Sequence, residues 1–326
     1  MSSLLNAAPS LEQHRYSVYG LSIVSEMEIP ELAPSQGENA DVSVSLGPVP
    51  KSLSRPIARN GWLEVSESEC LMNIPKIGRF LVERGRSIRI DRREDRSRKR
   101  GNGTRMTDLR VYLLGSAFGA LLHQRGWLPL HVSAVQTGES IWAFSGESGA
   151  GKSTLAAFLH RRYGYPIVSD DVSVLCPEDT EPLLHPGPRK LKLWKSAIDQ
   201  IGFQNERLIQ DLQNTQKYQL YLEDRTVHKP SRMQALIMLD RCKDGEASGL
   251  EPLHGVRAYE AVASAVYRPL FGRCFRNGQE LMKDAANLAN SITVYRLRRK
   301  WSLESMHSEI LPLIKMIDQQ EEKFGT

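Results

Sequence analysis

The sequence predicts an α/β fold in two parts: a small β-rich N-terminal domain with a basic linker over residues 1–103, then an α/β domain over residues 104–326 with a helical C-terminal region. Three observations predict it. Short stretches that alternate or are rich in β-branched and aromatic residues fill the first hundred positions, with turn residues between them. An apolar strand, a glycine-rich loop and a helical segment follow one another over residues 140–162. Further apolar segments then alternate with helical ones, as in a sheet backed by helices.

In chain order, the expected N-terminal strands are Tyr16–Val24, Ala40–Leu46, Trp62–Val65, Phe80–Glu83 and Ser87–Asp91, with Gly20, Pro30, Pro34, Gly37, Pro48, Asn60-Gly61 and Gly78 as turn residues. The polar run Arg92–Thr104 reads as a linker. A helix starts at Thr107 or Asp108, both capping residue types. It carries Leu109, Leu113, Ala117, Phe118, Leu121 and Leu122 at helical spacing and stops at Gly126. Strands follow at His131–Val135 and Ser140–Phe144, a helix at Ser153–Arg162, and strands at Pro166–Ser169 and Ala235–Leu239. The last seventy residues are expected to be mainly helical, with Leu303, Met306, Ile310, Leu311, Ile314 and Ile317 as apolar positions.

Composition narrows the function classes. Hydrophobic residues at 40% and charged residues at 25% describe a globular chain. No apolar run approaches the ~18–20 residues of a membrane-spanning helix, so no membrane partner is expected. Met1–Ser10 lacks the layout of a secretory signal, and the expectation is a cytoplasmic protein. Cys70, Cys176, Cys242 and Cys274 lie too far apart for a short-spaced zinc site. The net charge of +5 is concentrated in Arg92–Arg100 and in Arg296, Arg298, Arg299 and Lys300. Such groups attract phosphate or acidic partners or form solvated loops. Neither has the interleaved aromatics of a nucleic-acid binder, so no nucleic-acid partner is expected.

The segment Gly146-Glu147-Ser148-Gly149-Ala150-Gly151-Lys152-Ser153 matches G-x-x-x-x-G-K-[ST] in full. Glycines let the backbone turn so that several N–H groups face one anion. Lys152 brings a positive charge to the β- and γ-phosphates, and the Ser153 hydroxyl suits a magnesium ion bridging them. The helix that begins near Ser153 and Thr154 adds its positive end. With a strand before it and a helix after it, the loop points to nucleotide binding, though not to one class of nucleotide enzyme.

Asp170-Asp171 closes the next apolar segment, at a strand end where ligands bind in open α/β sheets. Phosphoryl transfer to an alcohol needs one acidic group on the metal side and one to take the hydroxyl proton. A plain nucleotide hydrolase needs only the first. His131 opens the strand before the loop strand, and a lone histidine there is compatible with a structural role.

His131–Val135, Phe144–Thr154 and Val168–Asp171 together resemble the HPr kinase/phosphorylase family in residues, order and spacing, over roughly Leu128–Val174. That resemblance implies a P-loop kinase core, a sheet with flanking helices like the HPr kinase C-terminal domain, following a small β-rich domain. It implies ATP and Mg2+ as cofactors, Asp170 as base, Asp171 with Ser153 on the metal, and His131 contacting a phosphate or an aspartate. The order of the two aspartates stays open. The later R-G-x-G signature is not present; His185–Trp194 stands in a comparable place. With the opening GLSIVSEMEIPEL and the ending RPLFGR at Arg268–Arg273, this resembles a divergent branch that includes lasso-peptide precursor kinases. The expected acceptor is then a serine hydroxyl near the C-terminus of a precursor peptide or small protein. Neither HPr as acceptor nor phosphorolysis is implied, and a homo-oligomer is possible. Arg189, Lys190 and Lys192 are candidates for holding a phosphate or carboxylate, and Arg268 or Arg273 for stabilising transferred charge. The alternatives are a kinase for a small hydroxyl compound and a nucleotide-dependent sensor or scaffold with weak ATPase activity.

Overall fold

A computed structural model describes residues 13–92, 106–177, 179–188, 190–211, 214–221, 229–243 and 245–324. The basic run from residue 93 onward, most of the expected linker, and Arg189 lie outside the described residues.

The N-terminal part is one nine-stranded sheet. Its first hairpin, His14–Val18 with Leu21–Ser25, turns at Tyr19-Gly20. The stretch YSVYGLSIV is therefore two strands and not one, because Tyr19 (φ 56°) and Gly20 (φ 76°) both take left-handed backbone. Expected strands reappear at Val42–Leu46, Leu63–Val65, Gly78–Glu83 and Ser87–Arg92. Glu69–Ile74, which alternation did not reveal, pairs with Gly78–Glu83 along its full length.

The expected helix after the linker is Met106–Tyr112, a π-helical turn Leu113–Ala117, and Phe118–Gln124. Gly126 (φ 77°) follows its end. Leu109, Leu113, Phe118, Leu121 and Leu122 are fully buried, in one apolar cluster with Val44, Phe80 and Ile88 of the sheet. The same cluster takes in Val172, Val174, Tyr267 and Phe271, so the N-terminal sheet and the C-terminal part share a core.

In the second nine-stranded sheet, the loop strand Ser140–Ser145 is central. Ser133–Thr137 runs antiparallel to it on one side, and the aspartate strand Ile167–Ser169 lies beyond that, antiparallel in turn. On the other side the long strand Ser231–Arg241 and then the last strand Thr293–Arg299 run parallel to it. Four strands thus share one direction, and their C-terminal ends gather at one edge. The expected strand at His131 starts two residues later; His131 sits in the break after Leu128–Leu130. The last seventy residues hold the expected helices, but Thr293–Arg299 is a fully paired strand among them. Its alternating pattern is hidden by arginines that are partnered or buried.

Candidate active site

The helix Lys152–Tyr163 follows the loop directly. Gly146, Gly149 and Gly151 all have positive φ, at 140°, 89° and 85°. A Cβ on Gly146 would lie 2.7 Å from Leu239 O, and one on Gly151 would lie 2.5 Å from the Arg299 guanidinium. The loop therefore rests on the ends of the long strand and the last strand, at two points where only glycine fits. Glu147, Ser148 and Gly149 are exposed at its rim, Ala150 is buried beneath it, and Ser153 and Thr154 are half-buried in the first helical turn. The Lys152 ammonium donates to Gly146 O at 2.9 Å and Glu147 O at 3.3 Å. Burial lowers its pKa, and the charges of Asp170 and Asp171 oppose that shift.

The two aspartates occupy different surroundings. Asp170 is 5% exposed. It accepts hydrogen bonds from Ser133 Oγ at 2.5 Å and from Lys192 N at 2.9 Å. Loss of water raises its pKa; the bonds from Ser133 and Lys192 oppose the rise, Asp171 adds to it, and a hydrogen bond with Ser153 again opposes it. Asp171 has left-handed backbone (φ 75°), and its side chain is 56% exposed. His131 Nδ1 lies 2.8 Å from Asp171 O and 3.3 Å from Asp171 Oδ1. Enclosure by the cleft opposes ionisation of Asp171, but His131, Lys190 and Lys192 together outweigh it, and the pKa is lowered.

A cavity of about 60 Å³ opens beside the pair, lined among others by Tyr19, Leu114, Gly115, Lys190, Lys192 and Gln219. Tyr19 reaches it from the N-terminal hairpin, whose turn is anchored by Tyr19 N donating to Pro186 O at 2.9 Å. Its buried hydroxyl has no hydrogen-bond partner among the described residues. Burial lowers the Lys190 pKa, opposed by Glu31 and Asp171. Glu31, also from the N-terminal part, accepts from Arg110 Nε at 2.9 Å and Tyr221 OH at 3.2 Å. Lys192 Nζ pairs with Asp211 at 2.7 Å. A larger cavity, about 690 Å³, lies near Thr137, Glu139 and Arg232, at the opposite edge of the sheet from the loop.

Sequence reasoning brought together the glycine loop, the aspartate pair and His131, and the fold does gather them. It missed Ser133, Tyr19 and Glu31, which carry no local signal, and it left Arg299 inside a basic cluster. Arg296 and Arg298 point to one side of their strand and meet Glu251 at 3.6 and 3.2 Å. Arg299, on the other side, is 3% exposed beneath the loop, 3.5 Å from Ala150 O. Burial lowers its pKa, and Glu309 opposes this. Arg268 takes left-handed backbone (φ 46°) and stacks its guanidinium against Tyr267 and Trp62, at 5.4 and 5.8 Å.

No family model and no curated protein matches the chain. Among solved structures, the Hpr(Ser) kinase/phosphatase from Coxiella burnetii is similar at 13% identity, over 59% of this chain and 98% of that one, with a TM-score of 0.28. At that score, what the site residues do rests on their own geometry. Among the described residues, no helix is long and apolar enough to cross a membrane.

Proposed function

We propose that the protein is a phosphotransferase that moves the γ-phosphoryl group of ATP to a hydroxyl group. The observation that carries this reading is the meeting, at one sheet edge, of a left-handed glycine loop with its lysine and a pair of aspartates in unlike environments. Backbone N–H groups of residues 146–154 and the Lys152 ammonium, released from its two carbonyls, hold the polyphosphate.

The donors fit a magnesium ion. Ser153 and Asp170 are hard oxygen donors, and the Ser153 hydroxyl opposes the rise in the Asp170 pKa. Mg2+ takes few protein ligands and completes its octahedron with phosphate and water, so a cluster of three or more ligating side chains is not required. When bound, the ion neutralises charge on the β- and γ-phosphates.

These surroundings favour the reverse of the order carried over from the resemblance. Asp170, buried and bonded to Ser133 and Lys192, is the metal-side carboxylate. Asp171, open to the cleft and with its pKa lowered by His131, Lys190 and Lys192 together, is the base that takes the proton of the acceptor hydroxyl. The acceptor oxygen forms a bond to the γ-phosphorus as the bond to the β-phosphate oxygen breaks, and ADP leaves. The cavity beside the pair is of amino-acid side-chain size, which suits a serine presented by a peptide. Lys190 beside it suits a terminal carboxylate. The C-terminal serine of a lasso-peptide precursor rests on the sequence resemblance.

The experiment is incubation with ATP, Mg2+ and candidate precursor peptides, read by mass spectrometry for the gain of one phosphate. Asp171→Asn is expected to lower turnover about 10²–10⁴-fold, the usual contribution of a general base, with nucleotide affinity kept. An Asp171→Asn protein with unchanged turnover refutes its role as base. Failure to phosphorylate any peptide or small hydroxyl compound refutes the kinase reading.

A further inference from the structure

Resting on the nucleotide-site reading, we infer that Trp301, backed by Arg241, is the stacking platform for the nucleobase of the bound nucleotide. The direction of the triphosphate across the loop follows from the fold. Its terminal phosphate must face Asp170 and Asp171, which lie on one flank of the loop strand, beyond Ser133–Thr137. The nucleoside end therefore points to the other flank, toward the long strand and the last strand.

The two ends of the loop rest on these two strands. Gly146 packs on Leu239, two residues before Arg241, and Gly151 packs on Arg299, two residues before Trp301. Arg241 and Arg299 are register partners. Just past the strand ends, the Arg241 guanidinium lies 5.4 Å from the centre of the Trp301 ring. The indole is 42% exposed, one of few large hydrophobic side chains so open. The guanidinium lies over one face, and in the proposed arrangement a planar ligand takes the other. The last strand is two strand spacings from the loop strand, roughly 10 Å, a distance that two phosphates and a ribose span.

A stacked indole gives affinity without reading base edges, since every base has a π-face. The platform thus takes purine nucleotides with little discrimination between adenine and guanine. An arginine behind an aromatic ring strengthens the arrangement and adds a positive charge near the inner phosphates.

The test is calorimetric titration, with Mg2+, of ATP, GTP and inorganic tripolyphosphate into the wild-type, Trp301→Ala, Trp301→Phe and Lys152→Ala proteins. Trp301→Ala is expected to weaken ATP and GTP about 5- to 150-fold, the range for loss of one base–aromatic stack, and to leave tripolyphosphate within about twofold. Trp301→Phe is expected to retain most of the affinity. Unchanged ATP binding by Trp301→Ala, or equal weakening of ATP and tripolyphosphate, overturns the platform. If Lys152→Ala weakens ATP and tripolyphosphate together while Trp301→Ala has no effect, the phosphate loop stands and the platform falls. A wild-type protein that binds neither ligand overturns both.

Discussion

Gly151→Ala tests how the phosphate loop is supported. The new Cβ enters at a backbone φ of 85°, where an L side chain costs about 1–2 kcal/mol. It also enters 2.5 Å from the Arg299 guanidinium, well inside van der Waals contact. Arg299 is 3% exposed and cannot swing into solvent. Its displacement forfeits the long contact with Ala150 O and leaves a buried charged group worse satisfied, for about 1–3 kcal/mol more. The single substitution is therefore expected to destabilise by about 2–5 kcal/mol, from those two contributions. In an Arg299→Ala background the second contribution disappears and only the backbone strain remains. The assay is a double-mutant cycle by urea unfolding, with ATP titration of each variant. Gly151→Ala should cost at least about 1 kcal/mol less when Arg299 is absent, which counts as coupling because independent sites add within about 0.5 kcal/mol. Additivity within that limit would refute the claim that Arg299 props the loop.

Asp170→Asn should stabilise the protein at neutral pH even as it removes the carboxylate proposed for the metal side. Asp170 holds its proton more tightly folded than unfolded, so the native state binds more protons and wild-type stability falls as pH rises above the ordinary value of 3.8. The gain from the substitution should grow over that range and vanish at lower pH; urea midpoints against pH measure it, and a pH-independent difference refutes it. Glu31→Ala should destabilise by about 3–5 kcal/mol, because Arg110 and the Tyr221 hydroxyl both lose their partner in a buried place. Thermal unfolding of Glu31→Ala beside the exposed control Glu38→Ala reads this, and equal midpoints refute it.

Local signals made part of this site legible. The loop residues, the strand before them and the helix after them are contiguous, and each glycine answers a backbone angle the loop itself demands. Asp170-Asp171 announced a strand end by following an apolar run. The unlike surroundings of the two carboxylates are not legible, because they depend on one left-handed residue, Asp171, and on partners 37 and 40 positions away. Glu69–Ile74 is not legible because four of its six residues are buried, on both faces, and the other two are half-buried, so no clean alternation shows. Thr293–Arg299 is not legible as a strand because its arginines, met by Glu251 and by the loop, conceal a strand paired on both sides.

Read alone, the chain shows a glycine-rich loop between a strand and a helix, with two acidic residues closing the next apolar segment. Backbone torsions and short-range spacing decide such features. What surrounds them appears only on folding: Arg299 under Gly151, Trp301 and Arg241 at the ends of the two neighbouring parallel strands, and Tyr19 and Glu31 brought from the N-terminal part toward the aspartate cleft. Those juxtapositions come from parallel strand pairing and a shared apolar core, which join residues far apart in the chain and leave no periodic trace in it.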